Sequence, residues 1–243
     1  MIKNWCLTIV LFFLCSNLLL AQAPAWGGGA DQNDLSFGFC FSYVSNYYKI
    51  VKKPDWRNPY FDQGVNRYIT DSVKGISSNP TPGFAIGFIT RYRLTEHIEA
   101  RVTPSLVFAD RSLYYTYDTP SQDVTKSVQT TTVDFPLEFK LKSDRIQDFR
   151  GYILGGIKYS QTVGRGQDQS NIDPLSRNVK NLNGFGSWEA GLGCDIYFEY
   201  FKLSPEIKIA NSFGNVLSPG NEPFSAPISK LSLHTIMFSL YFE

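Results

Sequence analysis

The chain has 243 residues, with 23 Lys and Arg against 22 Asp and Glu, and a mean hydropathy of −0.17. Near-neutral charge with no basic block leaves no footprint for nucleic acid. The hydropathy excludes a bundle of membrane helices, and 43% hydrophobic residues exclude disorder.

Residues 1–21 read as an export signal. Lys3 gives a positive start, and Trp5 to Cys15 form an apolar run too short for a ~20-residue membrane span. Ala21 offers the small residue before a cleavage point. Leu14 stands where a lipidated Cys15 would want a small residue, so a lipoprotein signal is disfavoured. Loss of Lys3 leaves the remaining chain neutral. Residues 22–34, with Gly27-Gly28-Gly29, read as a flexible periplasmic lead before a barrel domain at 35–243. Cys6 and Cys15 leave with the signal. Cys40 and Cys194 remain, on strands assigned to different faces, and read as unpaired small hydrophobes. No Cys-x-x-Cys or Cys/His cluster is present to hold a structural zinc.

Period-two alternation then predicts eight strands. Leu35–Tyr43 sets Leu35, Phe37, Phe39, Phe41 and Tyr43 against small or polar residues. Gly83–Leu94 and His97–Phe108 follow, with Phe84, Ile86 and Phe88, then Ile98, Ala100 and Val102, on the apolar faces. Ser127–Lys142 is the clearest, with Val133, Phe135, Leu137, Phe139 and Leu141 opposite Asp134, Glu138 and Lys140. Phe149–Val163 is Gly-rich and less decided. Phe185–Phe198, Phe201–Ala210 and the run from Thr235 to Phe242 complete the set. Pro104, Pro136 and Pro205 fall inside strands, where each removes a ladder donor, and predict local bulges or bends.

The connections alternate in length. Thr95-Glu96, Ser143–Asp148 and Glu199-Tyr200 are tight, whereas Asn46–Pro82, Asp110–Lys126, Gly164–Gly184 and Gly214–Pro227 are long and polar. An even strand count puts both ends of the barrel on the short-turn side. Alternation alone fits a water-soluble barrel with an apolar interior as well as a membrane barrel with the faces reversed. The export signal, the loop asymmetry and the aromatic last strand select the second: an all-β, eight-stranded antiparallel transmembrane β-barrel with short periplasmic turns and long extracellular loops, integral to the outer membrane of a Gram-negative bacterium. Eight strands enclose an interior that side chains can fill, which argues against a general pore.

The polar faces carry Arg91, Arg93, Glu99, Arg101, Asp134, Glu138, Lys140, Lys158, Glu189, Asp195, Lys202, Glu206 and Lys208. Their signs are mixed and buried charges must be paired, so they read as an ion-paired core rather than a gating network. Asp110-Arg111 stands at the mouth of the second long loop, placed to cap the barrel. In the loops, Trp56, Tyr60, Phe61, Tyr68, Tyr114, Tyr115 and Tyr117 suit either protein contacts or an interfacial aromatic girdle. His97 and His234 are the two histidines. Ser232 beside His234 is a pairing any strand would offer, and a catalytic histidine is not expected.

Several stretches, taken in order, carry a family likeness: Pro82-Gly83-Phe84, Phe108-Ala109-Asp110-Arg111, Asp134-Phe135-Pro136-Leu137-Glu138, the run from Phe149 to Tyr159, Lys202 to Lys208, and Phe238-Ser239-Leu240-Tyr241-Phe242-Glu243. Over residues 35–243 the chain resembles the PorT/SprT proteins of the type IX secretion system, within the broader class of outer-membrane β-barrel domains. The first long loop lies outside the likeness. The resemblance implies a non-enzymatic role in exporting cargo proteins and, in gliding bacteria, in surface motility. It implies no catalytic residue, cofactor or metal. The partners expected are outer-membrane lipid and other secretion-system proteins, with no nucleic acid and no small-molecule substrate. The alternatives are a structural or adhesin-like barrel that binds a ligand through its loops, and a lipid-modifying enzyme on the same scaffold.

Overall fold

Successive side chains of a strand leave opposite faces, so a ring of alternating strands sorts its residues into an inside and an outside. The computed structural model describes residues 33–63, 66–119, 122–128, 131–163, 179, 181–218 and 222–243. The expected signal, 1–21, and most of the expected lead lie outside the described residues.

Fourteen strands form among the described residues: β1 (Leu35–Lys52), β2 (Phe61–Asp62), β3 (Arg67–Tyr68), β4 (Val73–Ser77), β5 (Thr81–Arg93), β6 (Ile98–Val102), β7 (Ser105–Ala109), β8 (Arg111–Tyr117), β9 (Val124–Val128), β10 (Thr131–Lys142), β11 (Phe149–Val163), β12 (Gly184–Tyr197), β13 (Lys202–Ser212) and β14 (Ile228–Phe242). Eight walls close into a ring. β1 pairs antiparallel with β14 and with β5; the order continues through β13, β12, β11 and β10 to β6 and β7, which together form the third wall and return to β5. Closure leaves no strand edge in lipid. The short turns, with Leu35 and Glu243, lie at one end, and the long connections at the other.

The apolar face points outward. Phe37, Phe39, Phe41, Phe84, Phe88, Phe135, Phe139, Ile153, Ile157, Leu192, Ile207 and Phe238 are all exposed. In water such a belt would favour aggregation. Against acyl chains it is the solvated surface. Rings stack across the belt, Phe39 on Phe242 at 5.1 Å and Phe84 on Phe108 at 4.9 Å between centroids.

Two strands outrun their apolar pattern. β1 was expected to end at Tyr43 but continues to Lys52, and β14 begins at Ile228 rather than near Thr235. Beyond Tyr43 the outward residues are Ser45, Tyr47, Lys49 and Val51. The strand persists, but its outer face has left lipid. At 18 residues, β1 spans about 60 Å, or about 45 Å along a barrel axis at a tilt near 40°. That exceeds the ~25 Å apolar band of such barrels, so the surplus stands outside the membrane.

The prolines interrupt pairing without the expected bulges. Pro104 splits the third wall, yet Thr90 still faces Val102 and Gly87 faces Ser105, with no residue inserted. Across the same gap, β10 keeps Leu137 opposite Val102 and Asp134 opposite Ser105. Pro136, which lacks a donor, lies opposite that gap. Pro205 stays paired with Leu240 in β14 and costs only a short lapse against β12. Among the described residues the register shifts lie elsewhere, at Val51/Lys52 and Val73/Gly75.

Candidate functional site

The lumen is filled by charged side chains arranged in levels along the axis. Nearest the short turns, Arg91 donates to Glu99 at 2.8 Å and to Glu243 at 2.5 Å. Lys202 reaches Glu243 at 3.0 Å, and Lys142 also donates to Glu99. Lys140 holds Asp195 at 2.8 Å, and the Ser204 hydroxyl donates to the same carboxylate at 2.6 Å.

At mid-depth, Arg101 donates through Nε to Glu138 at 2.8 Å and through one terminal nitrogen to Glu206 at 2.9 Å. Lys208 donates to the other Glu138 oxygen at 2.8 Å. The Tyr152 hydroxyl donates to Glu206 at 2.9 Å, and the Arg101 guanidinium lies 4.4 Å from the Tyr241 ring centroid. Gly191 and Gly193 face this level, where an added Cβ would meet Lys208 and Tyr152 side-chain atoms at 2.7 and 2.6 Å. Above it, Lys158 bridges Asp134 at 3.1 Å and Glu189 at 2.9 Å.

Over the lumen stands a second storey. β4, β8 and β9 form their own three-stranded sheet, and the surplus lengths of β1 and β14 pack against it. Leu113, Tyr115, Phe224, Ile228 and Leu231 are buried at its centre with Tyr48, Ile76 and Val216. The Tyr115 hydroxyl donates to the Phe224 carbonyl at 2.5 Å, and burial pushes that phenol well above its usual range. Arg111 lies beneath this storey, buried, its guanidinium 5.8 Å from the Phe185 ring centroid. It lines a cavity of about 20 Å³ with Asp134 and Lys158, room for about one water.

On the flank of the storey opens a cleft of about 330 Å³ lined by Tyr68, Ile69, Thr70, Asp71, Tyr117, Gln122, Asp123 and Val124. Asp123 accepts the Tyr117 backbone N–H at 2.9 Å, and Thr70 accepts that of Tyr60 at 3.2 Å. Burial, with Asp71 and Asp123 nearby, pushes the Tyr117 phenol up to about 12.

A family model described as the outer membrane protein beta-barrel domain matches residues 28–218. The chain belongs to that family. Its lipid-facing belt, charged interior and closed ring are those of an outer-membrane barrel, and the protein sits in the outer membrane of a Gram-negative bacterium. Its fold is also similar to solved barrels at low identity. OprG of Pseudomonas aeruginosa is 10% identical, with 86% of this chain and 93% of that one aligned at a TM-score of 0.48. Neisserial surface protein A is 7% identical over 86% and 98%, at 0.43. Ail, the attachment invasion locus protein of Yersinia pestis, solved with the heparin analogue sucrose octasulfate, is 10% identical over 86% and 99%, at 0.36. No curated protein matches the sequence.

Of the thirteen polar residues singled out in the sequence, twelve are buried inside this outer-membrane barrel and belong to the levels above. Arg93 is the exception. The alternation carries it inward, but β5 ends at the periplasmic rim, where Arg93 is part exposed and pairs with Asp34 at 2.7 Å. Lys142, Arg150 and Glu243 also serve the lumen and were passed over. Lys142 continues the parity of Lys140, which was the available signal. Arg150 donates to the Ser143 carbonyl of the turn that precedes it and to the Glu96 carbonyl of another turn, and nothing in sequence would pair it with the second.

The loop aromatics divide. Trp56 packs against the storey core beneath Lys52, whose ammonium lies 4.0 Å from its ring centroid. Tyr60 and Tyr114 are half-buried, and Tyr114 is paired with Ser77 across β4 and β8. Tyr115 is 1% exposed and is a core residue, not a contact residue: its position on β8 points it into the storey. Tyr117 is buried in the same core and also lines the cleft.

His97 lies on a periplasmic turn and donates through Nε2 to Asp144 at 2.9 Å, which holds that exposed carboxyl below its usual range. His234 contacts Asn211 at 2.6 Å, while the Ser232 hydroxyl donates to the Gly214 carbonyl. Neither arrangement joins a nucleophile to a base. Among the described residues no three His, Cys, Asp or Glu converge to hold a metal. Cys40 faces inward and is buried, while Cys194 is half-buried, and both are free.

Ion pairs fill the lumen at several levels, and two cavities described among them hold about 20 Å³ each, room for about one water. Reconstituted into planar bilayers, the protein is expected to give no sustained conductance steps. A steady open level, reproducible across insertions, would show that the plug yields.

Proposed function

We propose that this barrel is a non-conducting, non-enzymatic component of a protein-secretion apparatus of the type IX kind, acting through the surfaces it offers to other envelope proteins. The observation that carries the reading is the lumen filled by paired charges. A barrel whose interior is occupied by paired charges has its outer faces left as the working parts. The likeness to PorT/SprT proteins over residues 35–243 supplies the apparatus, and the lipid belt supplies its place of action.

A clean deletion in the native host tests it, with assay of surface and extracellular proteins. Accumulation of cargo in the periplasm, reversed by complementation, is the expected result. Normal export would remove the secretion role. A second reading then takes its place, favoured by the folded extracellular storey with its open cleft: an adhesin-like barrel whose ligand docks from outside.

A further inference from the structure

The plug answers its charges with one another, but Arg111 stands outside that pairing. It opens β8 and is 4% exposed. Among the described residues no carboxylate forms an ion pair with its guanidinium, and its Nε has no hydrogen-bond partner. The Phe185 ring, 5.8 Å away, offers a π face but no acceptor for that N–H. A cation sunk without a counter-charge is costly to hold. The cavity beneath the storey is where the answer lies. Arg111 alone among its lining residues comes from the storey sheet, and Asp134 is the one acid in the lining. Asp134 is already engaged. Lys158 takes one of its oxygens at 3.1 Å and the Thr132 hydroxyl donates to the other at 3.0 Å. The rest of the polar lining can donate. Thr235 gives its proton to the Asn46 carbonyl oxygen at 2.7 Å, which leaves the Asn46 NH2 to spend. The Ser212 hydroxyl accepts the Leu233 N–H at 2.9 Å and keeps its own proton. Ser160 and Ser187, both 2% exposed, add two more hydroxyls.

We propose that this cavity binds a single halide-sized anion, chloride, held by the Arg111 guanidinium and by hydroxyl and amide protons of the barrel wall. Each part matches a need of such an ion. The guanidinium supplies the opposite charge and an N–H that nothing else takes up. The wall hydroxyls and the Asn46 amide replace the donors that the ion leaves behind in water. A space of about 20 Å³ admits one water or one small ion and is too small for sulfate, phosphate or a peptide carboxylate. The two sides of the site belong to different parts of the fold. The storey supplies the cation through β8, and β1 and β10 to β14 supply the polar wall. A bound anion therefore ties the storey down onto the ring. The inference does not depend on the secretion reading, because it rests on the cavity alone.

The full-length protein in nanodiscs of zwitterionic lipid would be titrated with sodium chloride, and the chloride NMR linewidth followed. An excess linewidth that saturates, is displaced by bromide and is untouched by sulfate is expected. Arg111→Met should abolish it. Ser160→Ala, which keeps the cation and removes one wall hydroxyl, should weaken it several-fold. Heat-modifiable gel mobility checks that each variant is folded, and the serine variant carries the test if the methionine variant is not. A second readout follows the tie between storey and ring. Replacing chloride by gluconate at equal ionic strength should speed protease cutting within the wild-type storey several-fold, because the ion stabilises only the closed form, and should leave Arg111→Met unchanged. No saturable excess linewidth would mean that the cavity holds water alone. That result, a linewidth unchanged in both variants, displacement by sulfate, or equal cutting of the wild type in the two salts would overturn the proposal.

Discussion

Glu138→Gln is expected to destabilise the folded barrel by about 3–5 kcal/mol, the range for breaking a buried ion pair from one side. Glu138 is fully buried and is the only carboxylate hydrogen-bonded to both Arg101 and Lys208 at mid-depth among the described residues. Glutamine keeps the size but removes the charge, and leaves Arg101 with Glu206 and Lys208 with the longer contacts to Glu206 at 3.5 Å and Glu189 at 3.9 Å. The loss should appear as a lower urea midpoint for refolding-competent protein in lipid vesicles, followed by tryptophan fluorescence and by the heat-modifiable band. Lys208→Met in the same background should recover part of the loss, because it removes one of the stranded charges. A double-mutant cycle measures that coupling. A cost below about 1 kcal/mol for Glu138→Gln would mean that the mid-level charges are hydrated and the plug is loose.

Leu113→Ala should loosen the extracellular storey and spare the membrane ring. Leu113 has no exposed surface and lies at the centre of the storey core. Truncating such a leucine costs about 2–5 kcal/mol, set by how far the surroundings collapse. The sheet of β4, β8 and β9 shares no ladder with the barrel walls, so the loss should be local. Protease added to intact cells is expected to cut the variant within the storey at doses that leave the wild type whole, with heat-modifiable mobility retained. Loss of that mobility would show that ring and storey fold as one unit. Unchanged protease resistance would show that Leu113 carries little of the storey's stability.

Lipid made much of this fold legible. Wherever a strand touches acyl chains it must alternate, and the walls from β10 to β13 stand close to where Phe135, Ile207 and their neighbours put them. Where the outer face meets water, the constraint lapses. Ser45, Tyr47 and Lys49 no longer mark a strand, and residues 46–82 read as loop although they hold the end of β1 and the whole of β4. The lumen was legible as a set of residues but not as a set of partners. Parity puts Arg101, Glu138 and Glu206 on one face, but which acid meets which base depends on the stagger between walls, and that is a property of the closed ring. Parity also overshot at Arg93, because it carries no information about where the rim lies. The cleft could be seen only as two of its aromatics, Tyr68 and Tyr117, and not as a cleft. Tyr68 and Asp71 come from one long loop and Tyr117 and Asp123 from another, with no spacing rule between the two.

The split in the third wall has a mechanical meaning. Between β1 and β14 the ladder runs in unbroken register from Phe39–Phe242 to Val51–Lys230, so the seam that joins the two ends of the chain is continuous along its length. The ladder of β6 and β7 lapses at Thr103-Pro104 against both neighbours, where the Phe88 N–H donates to the Pro104 carbonyl at 3.0 Å on one side and Pro136 offers no donor on the other. A force that pulled the cylinder apart sideways would meet fewer ladder bonds there than along the seam. The same point faces lipid on one side and the Lys158 level of the plug on the other, so a crack that started in the wall would admit water first to the acids Asp134 and Glu189.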